Sequence, residues 1–245
     1  MTYCLGIRVQ EGLVMASDSR TNAGYDQVNV HRKMHTFVAP GERVFVVLTS
    51  GSLSVSQSIV TLLRKDWEAG QGLMQVPSMY DAAREIGNTV RYVAKLDRAA
   101  LEQDNYHFNV HLLLGGQIQD QPHDLYMIYP QGNPLATNED TPYLQIGESK
   151  YGRPILDRGV RFETTTLEAG AKYALISLDS TMRSNLTVGP PIDLLVYKKG
   201  DLDIFRQRRF GEDDADLRAI RTQWEQTLRR GVLDLPDVPF WTDTL

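Results

Sequence analysis

The sequence predicts an α+β fold in which two sheets stack face to face between outer helices, a four-layer αββα sandwich. Two observations predict it. Strands and helices come in blocks (strands, two helices, strands, helices, strands, a last helix), whereas a parallel sheet would need strict alternation. The hydrophobic period also changes from about two residues to about 3.6 at the block boundaries. A chain of 245 residues with 42% hydrophobic content can bury the core that such a sandwich needs, as one large domain or two small ones. No long linker or low-complexity tract divides it.

Residues 2–9 alternate loosely, Gln10-Glu11-Gly12 turns, and residues 13–17 resume a strand, so the pair reads as a hairpin. Residues 19–31, SRTNAGYDQVNVH, are polar and loop-like. A short strand at 33–38, a turn at Ala39-Pro40-Gly41-Glu42 and an apolar strand at 43–49 come next. Val55, Ile59, Leu62 and Leu63 then share a helical face. A second helix spans 78–96, with Ser78 as its N-cap. Strands return at 108–114 and 125–129, and residues 148–157 read as a short helix. Residues 167–182 are helical, with Leu167, Ala171, Ala174, Leu175, Leu178 and Met182 on one face. Strands at 192–197 and 202–206 form a hairpin around Lys199-Gly200-Asp201, and a last helix at 213–230 ends at Gly231 as its cap.

Composition narrows the function classes. Cys4 is the single cysteine, so no disulfide framework exists and a reducing cytoplasm is the expected location. The beginning, MTYCLGIRVQEG, lacks the basic and apolar regions of a signal peptide. No segment supplies the roughly 20 apolar residues of a membrane span. A net charge of −5 argues against nucleic acid as the main partner.

Thr2 is the first candidate for chemistry. With Met1 removed, it carries a hydroxyl and a free α-amine on one residue. An α-amine has a pKa near 8, so a neutral fraction exists at pH 7 and can accept the hydroxyl proton. By position alone Thr2 is merely the residue after a start methionine. Three further segments add weight: Ala16-Ser17-Asp18-Ser19-Arg20 closing a strand, Lys33 opening another, and Thr49-Ser50-Gly51-Ser52 joining a strand to a helix.

In these segments the chain resembles the proteasome β-subunit and HslV family of N-terminal-nucleophile hydrolases. MTYCLGIR, EGLVMASDSRTNAG, RKMH and LDSTMRSNLTVG are most similar to its bacterial ancestral β-subunit group, called Anbu. The resemblance implies an N-terminal-nucleophile type of αββα sandwich over residues 1–245, with a helical extension at about 208–245. It implies Thr2 as nucleophile, Lys33 close by on a neighbouring strand, and Asp18 orienting Lys33 through a charge-assisted hydrogen bond. Gly51 would offer a backbone N–H at a helix start as an oxyanion donor. Ser149, in Ile146-Gly147-Glu148-Ser149, matches a serine near the amine, although the usual G-S-G-S form is absent and Glu148 could fill the same space. The family's D-x-x-S-G element is also absent; Asp179, Ser184 and Asn185 are the residues nearest to it. Singly, Asp18 and Arg20 read as a turn carboxylate and a surface ion pair, Lys33 as an edge-strand charge, and Gly51 as a turn glycine.

The implied activity is a threonine-dependent peptidase or amidohydrolase of peptide or protein substrates, with no metal or organic cofactor, in a bacterial cytoplasmic homo-oligomer, either a ring or an open helical stack. The rival is an assembly-forming scaffold of the same fold with little hydrolysis. The helices at 53–66 and 79–96 carry apolar residues on more than one side, which suits subunit contacts. Alternatively the C-terminal segment, with Trp224, Leu228, Leu233, Phe240 and Trp241, covers them within one chain. His107 and His111 invite a metal reading, but YHFNVHLLLGG reads as a strand and structural histidines are favoured. Gly115-Gly116 lacks the lysine of a phosphate loop. Cys4 reads as a small buried hydrophobe.

Overall fold

The structure is a computed structural model that describes residues 1–22, 28–204 and 206–238. The chain opens with strands β1 (Tyr3–Val9), β2 (Gly12–Ser17), β3 (Arg20–Asn22), β4 (Val28–Val30), β5 (Met34–Ala39) and β6 (Arg43–Gly51). Helices α1 (Leu53–Glu68) and α2 (Met79–Gln103) come next, then β7 (Val110–Ile118), β8 (Asp124–Ile128), β9 (Pro134–Ala136) and β10 (Tyr143–Gly147). Helices α3 (Arg153–Gly159) and α4 (Leu167–Ser184), strands β11 (Ile192–Lys198) and β12 (Arg206–Phe210), and helix α5 (Ala215–Leu233) complete it.

Two antiparallel five-stranded sheets form, in the orders β10-β1-β2-β11-β12 and β5-β6-β7-β8-β9, with β3-β4 as a separate hairpin. The two-residue side-chain period sorts each central strand between two cores. Leu13 and Met15 of β2 meet Val44, Val46 and Leu48 of β6 between the sheets. The alternate residues point outward: Val14 and Ala16 pack under α4 with Leu175 and Leu178, while Phe45 and Val47 pack under α1 and α2 with Ile59, Ile86 and Val90. Every residue of β2 is therefore buried, because helices cover the outer faces. The result is the expected αββα layering.

Caps set the helix starts. Ser78 Oγ accepts the N–H of Asp81 at 3.1 Å, and Thr166 Oγ1 that of Ala169 at 3.2 Å, each satisfying a donor that the first turn leaves open.

Several expectations need correction. The polar stretch at 19–31 contains the β3-β4 hairpin, with residues 23–27 outside the described set. Strands β9 and β10, three and five residues long, are too short to show a period, and α2 continues to Gln103. Helix α3 starts only at Arg153, with a proline in its first turn. The second strand of the last hairpin starts at Arg206, not 202. Helix α5 runs through Gly231 to a C-cap at Asp234, so that glycine ends nothing. Ile59 and Val90 are fully buried against the chain's own sheet, which removes them from any subunit surface. Leu53, Tyr80, Tyr92 and Leu96 remain exposed on α1 and α2. Helix α5 lies against α4, where Leu217 and Ile220 join that core; Phe240 and Trp241 lie outside the described residues. Among the described residues no helix is long and apolar enough to cross a membrane.

Candidate active site

The entrance of β1 and the entrance of β5 meet at one edge of the sandwich. Thr2, half-buried, precedes β1. Its carbonyl accepts the N–H of Glu148 at 2.8 Å, which continues the β1-β10 pairing by one residue. Tyr3 anchors the start of β1: its ring is buried and its hydroxyl lies 2.6 Å from Ser177 Oγ of α4. Its N–H donates to Asp18 Oδ1 at 3.0 Å, and its carbonyl accepts the N–H of Asp18 at 3.1 Å. Asp18 is thus locked to the residue beside Thr2.

The same carboxylate oxygen takes Lys33 Nζ at 2.6 Å, while the N–H of Gly189 donates to Oδ2 at 3.3 Å. Lys33 Nζ also donates to the carbonyl of Arg20 at 2.7 Å. Two of its three N–H donors are then used among the described residues. Both side chains are buried, with 5% and 0% exposure, so this is a desolvated pair held by geometry. Burial pushes the Asp18 carboxyl up, against the pull of Lys33 and the two backbone donors. Lys33 stands at the start of β5, in the sheet facing that of β1. The expectation of a neighbouring strand is corrected: Lys33 approaches from the opposite layer.

A cleft of about 880 Å³ opens here, lined by Met1, Thr2, Ser50, Gly51, Leu53 and His111 among others. Thr2, Lys33, Thr49 and Gly51 line a smaller recess of about 30 Å³. Gly51 has φ +108°, and a Cβ there would lie 2.3 Å from the carbonyl oxygen of Asn109. Only glycine fits this junction. Helix α1 begins two residues later without a side-chain cap on Ser52, so the positive end of its dipole is uncapped by any side-chain oxygen at the cleft.

Burial, and next the Lys33 ammonium, lower the pKa of the Met1 α-amine, while Asp18 and Glu148 act in the opposite sense. Cys4 is fully buried, with Sγ 3.7 Å from the carbonyl oxygen of Thr49, and burial pushes its thiol well up. Ser149 lines neither cavity; its carbonyl accepts the N–H of Arg153 at 3.0 Å, leading into α3. Glu148 lines neither cavity either; its backbone N–H is the loop's link to Thr2. Asp179 pairs with Arg221 of α5, away from the cleft, whereas Asn185 Nδ2 donates to Glu148 Oε2 at 3.2 Å.

Sequence reasoning missed one supporting cluster. Asp193, 2% exposed in β11, accepts Ser19 Oγ at 3.2 Å and Arg209 Nη1 at 2.5 Å. Its signal was a carboxylate within the otherwise apolar run IDLLVY. His107 lies outside β7 while His111 lies within it. Among the described residues no group of His, Cys, Asp or Glu is arranged to hold a metal ion.

Comparison with known proteins finds relatives along most of the chain. The model of the proteasome subunit family matches residues 2–196. A proteasome subunit beta of Haloferax volcanii is 27% identical over 214 residues, 85% of this chain and 78% of its own length. Among solved structures, Anbu (ancestral beta-subunit) from Yersinia bercovieri aligns with TM-score 0.90 and 45% identity over 96% of this chain and 98% of its own. A helical assembly of the Anbu complex from Pseudomonas aeruginosa aligns with TM-score 0.91 and 46% identity over 98% and 100%.

Proposed function

Because this chain belongs to the proteasome β-subunit family, we propose that it is a threonine-dependent peptidase or amidohydrolase subunit whose nucleophile is Thr2 once Met1 has been removed. The observation that carries this reading is the buried Asp18–Lys33 pair at 2.6 Å, in which Asp18 is tied to Tyr3 beside Thr2 and Lys33 lines one recess with Thr2.

Each residue has a separate part in the chemistry. Thr2 Oγ attacks the amide carbonyl carbon, and the α-amine of Thr2 takes the hydroxyl proton. Lys33 stabilises the developing alkoxide and disfavours protonation of the amine. Asp18 orients Lys33. The N–H of Gly51, at the uncapped start of α1, faces the oxyanion of the tetrahedral intermediate. The amine returns its proton to the leaving nitrogen, and water then releases the acyl group. Ser149 lines neither cavity, and no step is assigned to it. The substrate is a peptide or protein, and none of these steps needs a cofactor. The helical assembly seen for the Pseudomonas aeruginosa protein supports many copies of this chain in an open stack or ring, with the cleft toward an enclosed space. A single domain over 1–245 with a helical extension from about 208, in the bacterial cytoplasm, fits that picture.

The test is an electrophilic probe for N-terminal threonine, with mapping of the modified residue. Label on Thr2 is expected; label on another residue, or none on protein lacking Met1, contradicts the reading. One observation favours the scaffold alternative: Met1 lines the cleft, and while present it blocks the amine of Thr2. Intact mass of the protein from its native host discriminates, since full retention of Met1 supports the scaffold.

A further inference from the structure

Strand β2 ends at Ser17, so Asp18, Ser19 and Arg20 leave its ladder where the site is built. Lys33 Nζ takes two acceptors from this short turn, Asp18 Oδ1 at 2.6 Å and the carbonyl of Arg20 at 2.7 Å. The residue between them, Ser19, is fully buried. Its carbonyl accepts the N–H of His31 at 2.8 Å, and the N–H groups of Ser19 and Arg20 both reach the carbonyl of Gly189 at 3.3 Å. Its hydroxyl donates to Asp193 Oδ2 at 3.2 Å. The spacing of the two acceptors of Lys33 is therefore set by what holds Ser19.

Asp193 is 2% exposed, and on β11 it stands in register with Ser17 of β2 on one side and Arg209 of β12 on the other. The oxygen that accepts Ser19 also accepts Arg209 Nη1 at 2.5 Å. A carboxylate so deeply buried keeps its charge only with a cation beside it. That cation comes from the edge strand of the sheet, past residue 196, where the match to the family model ends. The next residue back, Arg208, pairs with Asp214 and Asp216 at the start of α5, which fastens the edge strand to the C-terminal helix.

Resting on the role of Lys33 proposed above, we propose that Asp193, held ionised by Arg209, is a positioning residue for Lys33. It acts through Ser19, fixing the Arg20 carbonyl that shares the ammonium with Asp18. An ammonium has three N–H donors; with two of them fixed in this turn, the third is left for the recess that Lys33 shares with Thr2. Without Arg209, Asp193 turns away or takes a proton, Ser19 loses its charge-assisted acceptor, and the turn that aims Lys33 loosens. The C-terminal strand is thereby part of the site's support.

The experiment measures Lys33 itself in the full chain, by competitive acetylation of its Nζ read by peptide mapping. Ser19→Ala cuts the link and leaves the Asp193–Arg209 pair in place; Arg209→Met removes the cation, and Arg209→Lys restores it. Lys33 should acetylate about threefold faster or more in Ser19→Ala and Arg209→Met, and near the wild-type rate in Arg209→Lys. Alkylation of the buried Cys4 is the control for general loosening and should stay at the wild-type rate. If Arg209→Met fails to fold, Ser19→Ala carries the measurement. Unchanged Lys33 acetylation in the folded variants, or a rise matched by Cys4, overturns the proposal. The threonine probe is scored in parallel on protein lacking Met1, where the maximal inactivation rate of Ser19→Ala should fall roughly tenfold with probe affinity kept. An unchanged inactivation rate also overturns the proposal. Faster Lys33 acetylation with no Thr2 labelling even in the wild type removes the hydrolase reading and keeps Asp193 as the residue that positions Lys33. Thr2 labelling with unchanged Lys33 acetylation does the reverse.

Discussion

Lys33 reaches Asp18 across the interface of two sheets, Nζ to Oδ1 at 2.6 Å, and the oxygen that receives it also holds the N–H of Tyr3 at 3.0 Å. One atom therefore fixes both the residue next to Thr2 and the charge proposed to act on it. The arrangement makes the site part of the sandwich core, so changes within it have structural as well as chemical consequences.

Thr2→Ala should abolish probe labelling and leave thermal stability nearly unchanged, because Thr2 is half-buried and its fixing contacts come from its backbone. Lys33→Ala should abolish labelling as well, but it strips a fully buried Asp18 of its cation and should cost about 3–5 kcal/mol. Paired labelling and unfolding curves separate the two effects. Undiminished labelling of Thr2→Ala, or label on the buried Cys4, contradicts the assignment.

Gly51→Ala should destabilise by about 1–3 kcal/mol, from a disfavoured φ and the clash with the Asn109 carbonyl. Labelling should fall by more than the folded fraction does, because the shifted backbone re-aims the N–H offered to the oxyanion. Loss of labelling in strict proportion to loss of folded protein would mean that Gly51 serves the turn alone.

His35 gives the fold a pH dependence. Burial, with smaller repulsion from Arg64 and His31, lowers its pKa from 6.5 to about 4. The folded state thus refuses a proton that the unfolded state accepts. Stability from this group is fully present above about pH 6.5 and is lost as pH falls toward 4, by up to about 3 kcal/mol. His35→Gln should flatten the curve of midpoint against pH in this window; an unchanged slope would show that His35 titrates normally in the fold.

The outer faces of the helices allow a test of assembly. Ile59→Asp should unfold the chain, because it buries an unpaired charge against the chain's own sheet. Tyr92→Glu with Leu96→Glu, at positions 54% and 60% exposed, should leave the unfolding midpoint within about 0.5 kcal/mol of wild type and reduce particle size in light scattering. An unchanged particle would place the subunit contacts elsewhere.

The sequence by itself determined the layering, because a two-residue period and a 3.6-residue period cannot substitute for one another. Val14 and Met15, adjacent in β2, were bound for different cores whatever the rest of the chain did. Segment resemblance likewise singled out Thr2, Asp18, Lys33 and Gly51, which lie within four short stretches. Elements with weak local patterns escaped: β3 and β4 are three-residue strands of a polar hairpin, and β10 pairs with β1 at the other end of the chain. Only the tertiary structure decided that Lys33 comes from the opposite sheet, that Asn185 turns to Glu148 and that Asp179 turns to Arg221. These are choices between neighbouring polar residues, and local pattern does not distinguish them. They are made by which buried donors and acceptors find partners when separate loops close together, a long-range condition that no single stretch of sequence contains.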